Sequence, residues 1–130
     1  MLLYLTTPTR TTDQLTPIGA ARLRSTRAYL RQHPRSLNMT VWHGCLAWHL
    51  EHQAIVGWRA RVIHWWRGPS RPGGEVAARL LGFADVASCT TLFYGYDPAD
   101  AGNVDRAIAR INLFLAAHGY PIDGRIERAA

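Results

Sequence analysis

Three side chains with reactive chemistry fall close together in the chain: Cys45, His49 and His52, four and three residues apart. If Trp42 to Gly57 forms one helix, led into by His33 to Thr40, all three share a face. Cys45 follows Gly44 and would lie in the first turn, where unpaired backbone N–H groups and the helix dipole favour a thiolate. Two chemistries are open to it: a nucleophile with His49 or His64 as base, or a metal thiolate with His49 and His52 as further ligands. A thiolate–metal site ordinarily takes four ligands, and no fourth is evident; the spacing matches no specific zinc motif. The same residues also serve packing, with Cys45 as a small core residue, His49 as a hydrogen-bonded interior histidine and His52 at the surface. Packing is the preferred reading.

The elements around this stretch must position it. Thr16 followed by Pro17 is a helix start, the threonine as cap and the proline at the first helical position. That helix should run to Gln32 and stop at His33, because Pro34 disfavours helical geometry in the residue before it. Along it Arg24, Arg27 and Arg31 share a face, with Arg35 just beyond, which makes this the best phosphate-facing candidate. The connection from His33 to Trp42 carries Leu37, Met39 and Trp42, so it should be pinned to the core. In the central helix Leu46, Leu50, Gln53, Ala54 and Gly57 form one stripe and Cys45, His49, His52 and Val56 the next, giving a broad apolar sector.

From Trp58 to Gly74 the pattern changes. Arg59, Arg61 and Arg67 flank Val62, Ile63, His64, Trp65 and Trp66, and Arg71 sits among prolines and glycines. The segment near 60–66 reads as a short strand or extended piece, followed by a turn-rich loop. Arginine interleaved with exposed tryptophan suits single-stranded nucleic acid, since bases stack on the rings while guanidinium groups hold phosphates. The same pair of indoles suits a core or a protein interface, and Trp65 and Trp66 are assigned there in preference.

Glu75 to Leu81 reads as a short helix stopped by Gly82, Phe83 and Ala84 as the turn, Asp85 as a cap, and Val86 to Tyr94 as a second helix. Glu75–Gly82 resembles the first helix and turn of small excisionase-type DNA binders. The would-be recognition helix has no arginine, lysine, asparagine or glutamine to read a base edge, so an αα-hairpin used for packing is expected instead. The last helix has Asn103 as cap, Val104, Ile108, Ile111 and Leu115 at helical spacing, and Gly119 then Pro121 as its end. Residues 1–15 are expected to be an arm with a possible strand at Leu2–Thr6, and 122–130 a charged tail. The expectation is a mainly α, single compact domain of about five helices.

The pieces His33–Pro34, Asn38 and Trp42, then Cys45–Leu46–Ala47–Trp48–His49, then Ala77–Ala78–Arg79–Leu80–Leu81–Gly82 and Leu92–Phe93 carry a resemblance. They are similar to a group of small uncharacterised proteins of actinobacteria and their bacteriophages, over roughly residues 28 to 118. In that group a Cys-x-Ala-x-His helix precedes an Ala-x-x-Leu-Leu-Gly helix, a Leu-Phe pair and a terminal amphipathic helix. The resemblance implies no established activity. This chain departs from the group between Gly57 and Gly74, and that Arg- and Trp-rich insert is where an individual function is expected.

Composition narrows the function classes. With 130 residues, 48% hydrophobic and 18% charged, the chain is globular rather than disordered. Cys45 and Cys89 make no disulfide framework, and no apolar run is long enough to cross a bilayer, so no membrane association is expected and a cytoplasmic location is. The net charge of +6 favours an acidic partner. All 15 basic side chains are arginine, which suits bidentate phosphate contacts and equally a coding sequence of high GC content. No cofactor is expected. The resulting expectation is a non-catalytic binding protein docking on a cellular protein through Arg and Trp side chains, with nucleic-acid binding as the alternative and chemistry at Cys45 third.

Overall fold

The computed structural model describes residues 14–66 and 74–122. Six α-helices occur among them: α1 Pro17–Gln32, α2 Leu46–Ala54, α3 Trp58–Trp66, α4 Glu75–Leu81, α5 Thr90–Phe93 and α6 Val104–Ala117. The fold is mainly α, and no strand longer than single bridge residues at Ile55 and Phe83 forms in the described part. Residues 1–13 of the arm expected at 1–15, Arg67, Arg71 and residues 123–130 of the tail expected at 122–130 lie outside the described residues.

Local signals explain most helix ends. Thr16 caps α1 by accepting a hydrogen bond from the Gly19 N–H at 3.0 Å, with Pro17 at the first helical position. Gly82 ends α4 at φ +108°, and the Gly82 and Phe83 N–H groups close back on Arg79 and Ala78 carbonyls. That left-handed turn is available to glycine at little cost and satisfies carbonyls the helix end would leave unpaired. Asn103 caps α6 by accepting from the Asp105 and Arg106 N–H groups. Asp85 caps a 3-10 turn, Val86–Cys89, which hands the chain to α5.

Helix α1 is the hub, packed on α2, α4 and α6. Leu23 and Leu30 from α1 meet Leu46 and Leu50 from α2, Leu81 and Phe83 around the α4 turn, Leu92 from α5, and Ile111 and Leu115 from α6, all fully or nearly fully buried. Removing this much apolar surface from water is the main favourable contribution to folding. Gly19 brings α1 into backbone contact with the end of α4, where the Thr16 N–H donates to the Leu81 carbonyl at 3.0 Å. The 33–42 connection is pinned as its apolar side chains require: Leu37 is buried, Met39 and Trp42 pack on the core, and the Met39 N–H donates to the Ala101 carbonyl at 2.8 Å.

Two expectations are corrected. The single helix from Trp42 to Gly57 is instead a 3-10 turn at Trp42–Gly44, Cys45 as the residue capping α2, and a helix that stops at Ala54. The extended piece near 60–66 is helical, because Gly57 at φ +91° turns the chain and starts α3 immediately. The β-branched and aromatic content of that segment argued for a strand, but propensity is a weak prior beside tertiary context.

Candidate functional site

Helix α3 carries an unusual distribution of side chains. Among its residues only His64 is buried, while Trp58, Trp65 and Trp66 are 71%, 56% and 79% exposed. Trp58, Val62, Trp65 and Trp66 stand at i, i+4, i+7 and i+8, so they line one stripe of the helix, opposite His64. Arg59 and Arg61, both exposed, flank the stripe on its two sides, and α3 has no acidic residue. The Arg59 guanidinium lies 5.4 Å from the Trp58 ring centroid, a cation–π contact. His52, Arg61, Val62, Trp65 and Trp66 line a shallow hollow of about 280 Å³ beside the stripe.

Beneath this face lies a chain of polar contacts that seats the helix. His64 Nε2 approaches Glu51 Oε1 at 3.3 Å, and His64 Nδ1 faces His52 Nδ1 at 2.9 Å. Glu51 and His64 are both buried. The Trp48 ring stacks on His52 at 4.5 Å and on His64 at 5.2 Å, each with an interplanar angle of 15°, and His43 bridges from Trp48 to Trp65. Burial raises the Glu51 carboxyl above its ordinary range, against the opposing effect of His64. Burial, reinforced by the charges of His64, Arg61 and His49, holds His52 down to about 4.

The triad of Cys45, His49 and His52 does not converge. Among the described residues no group of three or more His, Cys, Asp or Glu side chains could hold a metal ion. His49 Nε2 contacts the Ser36 carbonyl at 2.9 Å, tying α2 to the 33–42 connection, while His52 turns to His64. Burial lowers the His49 pKa, against the opposing effect of the Ser36 and Gly44 backbone groups. Cys45 sits at the helix N-terminus as expected, and the Ala47 and Trp48 N–H groups pull its pKa down. Burial outweighs them and the thiol is raised, the opposite of a nucleophile's requirement. Alkylation of Cys45 by iodoacetamide at pH 7.5 should therefore be slower than that of an unstructured peptide thiol, with the rate still climbing above pH 9. Cys89, pushed up to about 12 chiefly by burial, should react only on unfolding. Mass mapping after timed labelling checks both.

The arginine face on α1 is also divided. Arg31 is exposed, but Arg24 and Arg27 are buried. Arg24 Nη2 donates to the Pro121 carbonyl, and Arg27 Nη1 donates to Asn112 Oδ1 at 2.6 Å. These two guanidinium groups join α1 to α6 and its C-terminal end instead of facing solvent.

Sequence reasoning missed Glu51 and the exposure of Trp58. Glu51 had a signal: it is the only acidic residue between Asp13 and Glu75, in a stretch otherwise supplied only with arginine and histidine. Such a carboxylate has few solvent roles and many partners. Among the described residues no helix is long and apolar enough to cross a membrane. No protein-family model, curated protein or solved structure matches the chain.

Proposed function

We propose that this is a small non-catalytic docking protein, phage-encoded in keeping with its actinobacterial and phage resemblance, that binds a host protein through α3. The partner's surface is a hydrophobic groove rimmed by carboxylates. The observation that carries this reading is the exposed stripe of Trp58, Val62, Trp65 and Trp66 between Arg59 and Arg61. Helix-in-groove recognition uses apolar anchors at this spacing, and Trp and Arg are the residues most enriched at interface hot spots. The net charge of +6, with two cations and no anion on α3, is complementary to an acidic rim.

The same side chains are poorer as a single-stranded nucleic-acid platform. Trp65 and Trp66 meet edge to face at 64°, whereas successive stacked bases require roughly parallel rings. Burial of Arg24 and Arg27 also removes two of the three cations of the proposed phosphate face.

The test is capture from actinobacterial lysate with and without nuclease, followed by titration of the purified captured protein against wild type and a Trp58→Ala/Trp66→Ala double variant. Affinity is expected to fall at least about 100-fold in the double variant, since hot-spot truncations cost about 2 kcal/mol or more each. The melting temperature should be unchanged. Undiminished affinity would assign docking to another face. Recovery that vanishes with nuclease, coupled to a steep salt dependence, would make nucleic acid the partner instead.

A further inference from the structure

The helix that presents the tryptophan stripe is seated by one buried side chain, His64, held between a histidine and a carboxylate of α2. Resting on the docking role given to α3, we propose that Glu51, His64 and His52 form a proton-sensitive latch that seats α3 and thereby governs presentation of its tryptophan face.

Counting protons shows why. A neutral imidazole has one N–H donor and one acceptor nitrogen, and an imidazolium has two donors. With both rings neutral, His64 Nε2–H donates to Glu51, and His52 Nδ1–H donates to the lone pair on His64 Nδ1 across the 2.9 Å contact. One added proton is accommodated: it enters at His52 Nε2, the His52 Nδ1 proton passes across the contact, and His64 becomes an imidazolium facing the Glu51 carboxylate whose Nδ1–H donates to His52 Nδ1. A second added proton leaves two N–H groups pointing at each other across that distance, with two positive rings against the same face of Trp48 and only one carboxylate to balance them. The contact must then open. Since His64 is the only buried side chain of α3, opening it removes the helix's one buried anchor and leaves only the surface contacts of Arg61 with the Ile55 carbonyl and of Trp65 with His43.

The surrounding charges act in the same direction. His52 is faced by His49 from its own helix and by Arg61 and His64 from α3, all cationic or able to become so, while His43 reaches the cluster from the 3-10 turn through Trp48 and Trp65. Glu51 is the acid that contacts His64. The seated state holds His52 down to about 4, against an ordinary value of 6.5. Between those values the released state binds more protons than the seated one. Seating is therefore complete above pH 6.5 and is lost progressively as pH falls toward 4. The raised Glu51 carboxyl has the opposite sign, because the seated form is the readier to hold that proton. It moderates the effect without restoring an acceptor between the two Nδ1 atoms.

The test uses the full chain alone, so that it succeeds or fails independently of any partner. Amide hydrogen exchange, corrected for the intrinsic pH dependence, is followed for α3, α1 and α6 between pH 7.5 and 4.5. Protection of α3 is expected to fall on the order of ten-fold or more by pH 5 while α1 and α6 hold. His52→Gln, at a half-buried position, removes one imidazole and should abolish the fall. Glu51→Gln keeps a carbonyl acceptor but removes the balancing charge, and should move the fall to higher pH. Constant α3 protection in wild type, or a fall that persists unchanged in His52→Gln, would overturn the latch. Loss of docking to the captured protein with the latch intact would instead count against the docking role.

Discussion

Replacing Gly19 by alanine is expected to destabilise the protein by about 3 kcal/mol, reversing the usual sign of that substitution inside a helix. Elsewhere in a helix alanine is favoured over glycine by about 1 kcal/mol, because it loses less backbone entropy on folding. Here an added Cβ would lie 2.3 Å from the Leu81 carbonyl oxygen and 2.8 Å from the Leu81 Cα and carbonyl carbon. These are backbone atoms at a helix terminus, so no side-chain rotation relieves the contact. The two helices would have to separate, weakening the hydrogen bonds that the Thr16 N–H and hydroxyl make to that same carbonyl at 3.0 and 3.3 Å. Thermal unfolding should show the melting point roughly 10 °C lower. Ala28→Gly, at an exposed position of the same helix, should cost only about 1 kcal/mol. Equal losses at the two positions would mean that α1 and α4 are not in backbone contact.

The close approach at Gly19 illustrates what was legible in the sequence and what was not. The ends of α1, α4 and α6 follow from Thr16–Pro17, Gly82 and Asn103, because capping depends on chemistry within a few residues. That Gly19 meets Leu81 depends on how two helices 62 residues apart in sequence cross, and no local pattern carries it. The division at Gly57 lies between these cases. Glycine was recognisable as a stop, but whether the next segment was extended or helical depended on the seat that Glu51 and His52 provide for His64. Helical spacing puts Cys45, His49 and His52 on one face only if the helix is continuous from Trp42. Once Cys45 becomes the cap, His49 and His52 are left to separate partners. The exposed tryptophans were the reverse case: sequence put Trp65 and Trp66 at a core or an interface, and the helical geometry of α3 turns both outward.

Arg24→Ala and Arg27→Ala are each expected to cost about 2 to 3 kcal/mol of stability, whereas Arg31→Ala should change it by less than about 0.5 kcal/mol. All three belong to one arginine series on α1, and charge alone does not distinguish them. The difference lies in where their guanidinium groups end. Arg24 reaches the Pro121 carbonyl and Arg27 reaches Asn112, with both stems buried between α1 and the far end of α6. Truncation loses a charge-assisted hydrogen bond and removes the packing of a long, buried aliphatic stem. Arg31 is exposed near the C-terminus of α1, where its charge favours the helix dipole by a few tenths of a kcal/mol at most in salt. Urea unfolding of the three variants separates the cases, with the midpoint shifted and the slope unchanged if only stability is affected. The same series bears on nucleic-acid binding. If α1 held phosphates, each of the three substitutions would weaken binding and lower its salt dependence without much loss of stability. If Arg24 and Arg27 fasten α6 to α1, their loss appears in the unfolding curve first, and only Arg31 remains available to meet a phosphate.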